Sequence, residues 1–279
     1  MNQDAEIIAI GTELLIGGRS DSNSIFLADE LGNLGIAVRF KSVVGDEKQD
    51  IVTAIHTAAK RATVIIMTGG LGPTVDDCTR EAVAAATGHR LGRRKEALEG
   101  MTARLAQWGR TANVAQLRQA LIPSGATVLN NPVGSAPGFC LTWKKAVIVS
   151  LPGVPREMEA MMLQEVLPLL RATVASSGLP PRSPIVRQLF HTFGLAEADV
   201  DAKLRGLVPK GAPVDLGLLV SPLAVLVSLT TKGSQPARGK HRDLLPKLAE
   251  GVRSRLSEWI FAEGRDQMEE VVGRELAKR

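Results

Sequence analysis

Residues 64–88 read VIIMTGGLGPTVDDCTREAVAAATG and contain the side chains and glycines best suited to chemistry. An apolar run ends at Met67. Gly69, Gly70 and Gly72 then let the backbone turn sharply and bring N–H groups close to a ligand, before a helix starts near Asp77. Unpaired amides at a helix start favour an anion such as phosphate. The adjacent carboxylates of Asp76 and Asp77 would repel that anion unless a cation lay between them. A glycine loop beside an acid pair therefore points to a divalent metal bridging protein and phosphate. A plainer reading stays open, in which Asp77 is an N-cap and Asp76 a first-turn acid, both favoured by the helix dipole. No GK[ST] follows the glycines and the GxGxxG pattern is incomplete, which disfavours a P-loop ATPase and a Rossmann dehydrogenase.

Three further segments carry polar groups at strand ends. GTELLIGGRSDSNS, residues 11–24, leaves a first strand into Thr12 and Glu13, and Asp46 in VVGDE follows a second strand. In an open α/β sheet the carboxyl ends of parallel strands form the ligand crevice, so these acids should face the same side as the glycine loop. Taken singly each acid reads as a surface turn residue, and their shared position makes them a set. NNPVGSAPGF, residues 130–139, forms a rigid loop that could recognise a ring or a ribose, or be structural. LPGVPREMEAM, residues 151–161, runs a strand into a helix with Pro155 near its first position. Glu157 stands by that second potential phosphate site, or is a first-turn acid favoured by the dipole.

The elements that must position these groups alternate. Strands are expected at residues 6–10, 36–44 and 63–67, with helices at 24–34 and 50–61, giving a β-α-β-α-β order. Helices are expected at 77–87, 93–107, 113–120 and 155–174, and a hairpin at 139–142 and 146–151. Composition shifts at SSGLPPRSP, residues 176–184, which is read as a domain boundary. Beyond it, strands at 186–190, 214–220 and 224–230 and helices at 196–204 and 240–256 form a small α+β unit. A terminal helical stretch covers 267–278.

With 279 residues, 44% hydrophobic and 23% charged, the composition is that of a globular chain and predicts two domains. The most apolar stretch, 216–229, is broken by Ser221 and Pro222, and Asp4 and Glu6 stand where a signal peptide would carry basic residues. A cytoplasmic chain that does not span a membrane is expected. Cys78 and Cys140 show no disulfide or zinc spacing, and the four histidines form no ligand pattern. A net charge of +5 could attract polyanions, yet aromatic content is 3% with no Tyr, which disfavours nucleic-acid binding by base stacking. The basic runs RLGRRK and ARGKHR are read as solvated faces.

GTELLIG, TGGLGPTVDDCTREA, NPVGSAPGF and LPGVPREM resemble, in order and spacing, the N-terminal region of the CinA (competence/damage-inducible) family over about residues 5–171. The segment 185–262 resembles the KH-like domain that follows in that family. The resemblance implies an α/β fold: a three-layer MogA/MoaB-like, molybdopterin-binding-like domain over 1–175, a smaller KH-like α+β domain over 185–262, and a terminal helix or connector over 263–279. It implies metal-dependent ADP-ribose pyrophosphatase activity, with a non-catalytic molybdopterin- or nucleotide-binding module as the alternative. Mg²⁺, Mn²⁺ or Co²⁺ is the expected cation, with K⁺ as an additional candidate. By the same resemblance Asp46 and Asp77 would match the family's acids and Gly69, Gly70 and Gly72 would hold phosphate, and the mechanism expected from the residues places a divalent cation on Asp46, Asp76 and Asp77. Asp76 and Asp77 would act in catalysis with Glu13 or Glu157 orienting water. Thr12, Thr68, Gly69, Gly70, Gly72, Pro73, Thr79, Gly134, Ser135 and Gly153 would contact the ligand. Asp76 stands where Mog proteins have Arg, and exchanging a cation for an acid fits metal-assisted phosphate chemistry. Longer members carry a deamidase domain that would begin where this chain stops, so deamidation is not expected and a separately encoded deamidase is a candidate partner. A homodimer is expected from the relatives.

Overall fold

Four parallel strands ending level with one another organise the first of two units in the computed structural model, which describes residues 4–176, 183–221, 224–232, 244–264, 266 and 268–278. The order is β1 (Asp4–Ile10), α1 (Thr12–Leu15), α2 (Ser22–Asn33), β2 (Ala37–Val44), α3 (Lys48–Arg61), β3 (Val64–Thr68) and α4 (Thr79–Thr87). A short ribbon follows, β4 (Leu91–Arg93) pairing with β5 (Leu121–Pro123) around α5 (Lys95–Gln107) and α6 (Val114–Leu117). The unit closes with β6 (Thr127–Leu129), β7 (Gly138–Trp143), β8 (Ala146–Leu151), α7 (Pro155–Met161) and α8 (Leu167–Ser176).

The sheet order is β2-β1-β3-β8-β7-β6, with β2, β1, β3 and β8 parallel, β7 antiparallel to β8 and β6 antiparallel to β7. Ile8, Ile10, Ile65 and Met67 join a core with Ile51 and Ile55 of α3 and Val83 of α4. The intervening Ile7, Ala9 and Ile66 are equally buried, so both sheet faces are covered, as near-continuous apolar runs in parallel strands require. This is the three-layer α/β arrangement expected. Ile10 is level with Val44, Ala9 with Thr68, and Thr68 with Leu151. The loops after β1, β2, β3 and β8 therefore leave from one rim.

One buried charge ties this sheet edge together. Glu6 is fully buried and accepts from Arg61 Nε and Nη2, both at 2.8 Å, and from the Ser42 hydroxyl at 2.7 Å. The Arg61 guanidinium also lies 3.8 Å from the Phe40 ring centroid. β1, β2 and the end of α3 are thus joined through one carboxylate.

Several elements differ from expectation. Arg93 ends a strand rather than opening a helix, because β4 and β5 are three-residue strands too short to show a period. The helix expected over 113–120 is α6 followed by a 3₁₀ turn at Arg118–Ala120, with Asn113 and Gln116 forming a capping box. α7 and α8 flank a π-helical turn at Met162–Val166.

The second unit contains β9 (Arg187–Thr192), α9 (Glu197–Leu204), β10 (Val214–Val220), β11 (Val225–Thr231), α10 (Leu244–Leu256), β12 (Ile260–Glu263) and α11 (Met268–Leu276). Its antiparallel sheet runs β10-β11-β9-β12, and Phe190, Val227 and Leu229 pack with Val200, Leu248 and Val252. β12 was not expected from sequence. Most of the expected boundary, residues 177–182, lies outside the described residues, as do ARGKHR and the expected start of α10. Among the described residues no helix is long and apolar enough to cross a membrane.

Arg61→Ala should lower stability, because it leaves the Glu6 carboxylate buried without its cation. Glu6→Gln with Arg61 intact should cost less. Urea unfolding of the two variants, compared at constant slope, checks the order.

Candidate functional site

Each of the four parallel strands leaves its carboxyl end into a loop bearing glycine: Gly11 after β1, Gly45 after β2, Gly69 after β3 and Gly153 after β8. At Gly69 the requirement is absolute, since its φ is 111° and a Cβ there would lie 2.1 Å from the Ile10 carbonyl oxygen. A Cβ on Gly153 would come 3.3 Å from the Gly69 Cα. The loops enclose a crevice of about 420 Å³ lined by Glu13, Asp46, Asp76, Asp77 and Glu157, with Arg19 the one cation among the described lining residues. Gly69, Gly70, Gly72, Pro73, Ser135 and Gly153 also line it.

The glycine loop is held from within. Asp77 Oδ1 accepts from the Gly72 amide at 2.8 Å, and its Oδ2 accepts from the Thr74 amide at 2.8 Å and from the Thr74 hydroxyl. The helix begins two residues beyond Asp77, with Cys78 at the N-cap position and no side-chain cap, so Asp77 is a loop clasp and not the N-cap. The Gly69 amide donates to Leu151 O at 3.0 Å. Of the expected phosphate donors, Gly69 and Gly72 are thus committed inside the protein, whereas the amides of Gly70 and Leu71 bond to no described residue. The Thr79 hydroxyl donates to Gly69 O and the Thr68 hydroxyl to Pro152 O, both at 2.9 Å, so these two threonines shape the loops.

The remaining acids are placed differently. Asp46 Oδ2 accepts from the Thr12 amide and hydroxyl, each at 2.8 Å, which leaves Oδ1 without a bond to a described residue. Exposed Asp76 is held below the usual carboxylate range by the nearby Thr74 hydroxyl and its own backbone amide. Glu157 Oε2 accepts from Asn131 Nδ2 at 2.6 Å, and a Cβ on Gly134 would lie 2.0 Å from that same oxygen. The Glu13 carboxylate lies over Gly11, whose Cβ would come 2.6 Å from its Oε2. Among the described residues no three His, Cys, Asp or Glu side chains gather closely enough to hold a metal by themselves. The expected set of Asp46, Asp76 and Asp77 therefore does not form a ready-made cage, and the commitment of Asp77 to the loop is the physical reason.

Three residues essential to this geometry were not singled out from the sequence. Buried Arg80 donates through Nη2 to Leu71 O at 2.8 Å and Gly72 O at 3.0 Å, and burial pulls its pKa down to about 10. Asn23 Nδ2 donates to the Thr68 hydroxyl at 3.0 Å and to Gly153 O at 2.9 Å, binding two strand-end loops to α2. Gln119, also buried, donates to Leu71 O at 3.4 Å. Only the shared polar character of TREA and SDSNS marked the first two. Burial and then the carboxylates of Glu81, Asp46 and Glu47 push the Cys78 thiol up, and its Sγ donates to Asp46 O at 3.1 Å.

Residues 6–172 match the family described as a probable molybdopterin binding domain, and residues 187–262 match the damage-inducible protein CinA KH domain. The chain belongs to the CinA family. It is 37% identical over 275 residues to a putative competence-damage inducible protein of Halothermothrix orenii, covering 99% of this chain and 64% of that protein. A protein of the same description in Moorella thermoacetica is 38% identical over 276 residues, again covering 99% and 64%. The crystal structure of the protein CinA from Thermoplasma acidophilum superposes with a TM-score of 0.54 at 32% identity, covering 62% of this chain and 97% of that one. The first unit is thus the probable molybdopterin binding domain of a CinA-family chain and the second its KH-like domain. This chain spans somewhat under two thirds of the length of those two relatives.

Asp77→Ala should release the amides of Gly72 and Thr74 while the sheet stays folded. Loss of a charge-assisted bond of about 2 kcal/mol predicts exchange at these two amides faster by at least about ten-fold. Hydrogen exchange read by NMR checks it.

Proposed function

We propose that the crevice of this CinA-family domain binds the diphosphate of a nucleotide such as ADP-ribose together with a divalent cation, and hydrolyses the phosphoanhydride. The observation that supports this reading is a charge imbalance: five carboxylates and one guanidinium, among the described lining residues, share a cavity also lined by Gly70 and Leu71, whose amides bond to no described residue. Amides there favour an anion, yet each carboxylate about 6 Å from a phosphate opposes it by about 3 kcal/mol at an effective dielectric of 20. A cation between them resolves the conflict.

The donor set fits such an ion. Asp46 Oδ1 and Asp76 are available to hold it, and Mg²⁺-type ions bind through one or two carboxylates plus ligand phosphates rather than through a complete protein cage. When bound, the cation would offset the diphosphate charge and make phosphorus more electrophilic. The chain's own contribution is positional. Gly70 and Leu71 amides would donate to the non-bridging oxygens, whose charge grows in the transition state. Glu157, fixed by Asn131, is better held than Glu13 to orient water and accept its proton. Attack on phosphorus would give AMP and ribose 5-phosphate.

The internal bonds of Asp77 and of Asp46 Oδ2 favour a second reading, a non-catalytic molybdopterin- or nucleotide-binding module in which the acids only hold loops. Binding by calorimetry that is unchanged by chelator, without turnover, would select it.

Incubating the protein with ADP-ribose and Mg²⁺, Mn²⁺ or Co²⁺ should release AMP, and EDTA should abolish release. Asp46→Asn and Glu157→Gln should each lower the rate by about a hundred-fold, the ordinary yield of a positioned base or ligand. Absence of AMP with all three metals would refute the hydrolase. Gly134→Ala should displace Glu157 and lower the rate comparably while diphosphate binding persists.

A further inference from the structure

We propose that Thr79 is a positioning residue of the crevice: it turns two successive peptide planes of the glycine loop so that the Gly70 and Leu71 amides meet the phosphate together. The proposal rests on the reading of the crevice as a phosphate site.

The hydrogen bonds of Thr79 are the first argument. Thr79 opens α4 and is fully buried. A residue in the first turn of a helix has a backbone N–H with no partner inside that helix. Thr79 gives this N–H to Gly70 O at 3.2 Å and its hydroxyl to Gly69 O at 2.9 Å. A single residue thus holds two consecutive carbonyls. The peptides are trans, so the N–H of each plane points away from its carbonyl. The Gly69 carbonyl shares a plane with the Gly70 amide, and the Gly70 carbonyl shares one with the Leu71 amide. Both amides are therefore directed away from Thr79, and both are the ones that bond to no described residue. Gly70 has a φ of 65°, and successive amides turned to one side by such a residue form a concave anion site.

The second argument is that the rest of the loop is tied off elsewhere. Before the pair, the Gly69 amide donates to Leu151 O. After it, Leu71 O accepts from Arg80 and Gln119, and the Gly72 amide donates to Asp77. What is left to set is the tilt of the two planes between these anchors, and Thr79 is the described residue that bonds to both. Gly70 is fitted to it, since a Cβ there would fall on Thr79 Oγ1. The hydroxyl is already spent on Gly69 O, so Thr79 acts through the amides and not by touching the ligand. Without that hydroxyl the 69–70 plane is free to turn, and the Gly70 amide leaves the phosphate.

Thr79→Val keeps the side-chain shape and the backbone N–H but removes the hydroxyl, and Thr79→Ser restores it. Thr87, whose hydroxyl donates to Val83 O within α4, supplies the control Thr87→Val. Amide NMR signals are followed as inorganic pyrophosphate is added with Mg²⁺. In wild type, Thr79→Ser and Thr87→Val, the Gly70 and Leu71 signals should shift together on one binding curve. In Thr79→Val the Gly70 shift should shrink at least about three-fold, because a hydrogen bond weakens steeply once misaligned. With ADP-ribose, kcat per folded protein should fall about a hundred-fold in Thr79→Val, the usual loss on removing one such donor. KM should move less than about three-fold, and Thr79→Ser should recover kcat to within about three-fold of wild type. Pyrophosphate that shifts other crevice amides of wild type but leaves Gly70 and Leu71 unmoved overturns the proposal, whether or not the valine variant folds. So does a Thr79→Val that matches wild type in the Gly70 shift or in kcat. Amide shifts that depend on the Thr79 hydroxyl without turnover of ADP-ribose leave the positioning role standing and refute the hydrolase. Failure of pyrophosphate to shift any crevice amide refutes the phosphate reading and the proposal with it.

Discussion

The carboxyl ends of β1 and β3 come so close that the Ile10 carbonyl oxygen occupies the space a side chain at residue 69 would need. The four parallel strands end level, their loops converge on one rim, and backbone atoms rather than side chains fill the centre of that rim. Any side chain at Gly69 would push β3 away from β1 and open the hydrogen-bonded register beneath. Because the centre is backbone, the loops must be held by groups at their edges. Asn23, Thr68, Thr79, Arg80 and Asp77 each supply such a bond.

This tight packing divides the polar residues into two populations. Some spend their hydrogen-bonding capacity on backbone, as Asp77 does on Gly72 and Thr74 and Arg80 does on Leu71 and Gly72. Others keep an oxygen open to the crevice, as Asp46 does once Thr12 has fixed the other. The first population sets the shape and the second sets the charge. A buried arginine behind an acidic crevice fits this division: its positive charge offsets part of the field of the carboxylates while its hydrogen bonds turn carbonyls away from solvent.

Much of the fold was legible because its signals are long and periodic. The apolar runs of β1 and β3, the helical spacing of α2 and α3, and the exact bounds of β10 all follow from side-chain pattern. The three-residue strands β4, β5 and β6 and the edge strand β12 could not be read, since pairing between distant segments and not local preference creates them. Convergence of the acids on one rim was legible from the parallel order alone. The use of each acid was not. Two carboxylates adjacent in sequence look equivalent, and only the turn between Gly72 and Thr79 decides that Asp77 faces inward to amides while Asp76 stays exposed. The same holds for the glycines, where spacing announced a loop without disclosing that Gly69 and Gly72 donate internally and that Gly70 and Leu71 do not.

That asymmetry between neighbours bears on how a metal and a phosphate could share this crevice. A loop with free amides but no clasp would flex, and each ligand bound would have to order it at an entropic cost of about 1–2 kcal/mol per residue. Asp77 removes that cost in advance by bonding both ends of the turn. The same bonds draw electron density from its oxygens and occupy the directions a cation would use, which lowers its value as a ligand. Asp76, its carboxyl held below the usual range by Thr74 and its own amide, remains ionised down to lower pH than an ordinary aspartate. One acid therefore builds the site and the next one charges it, and neither could perform both roles from its place in the turn.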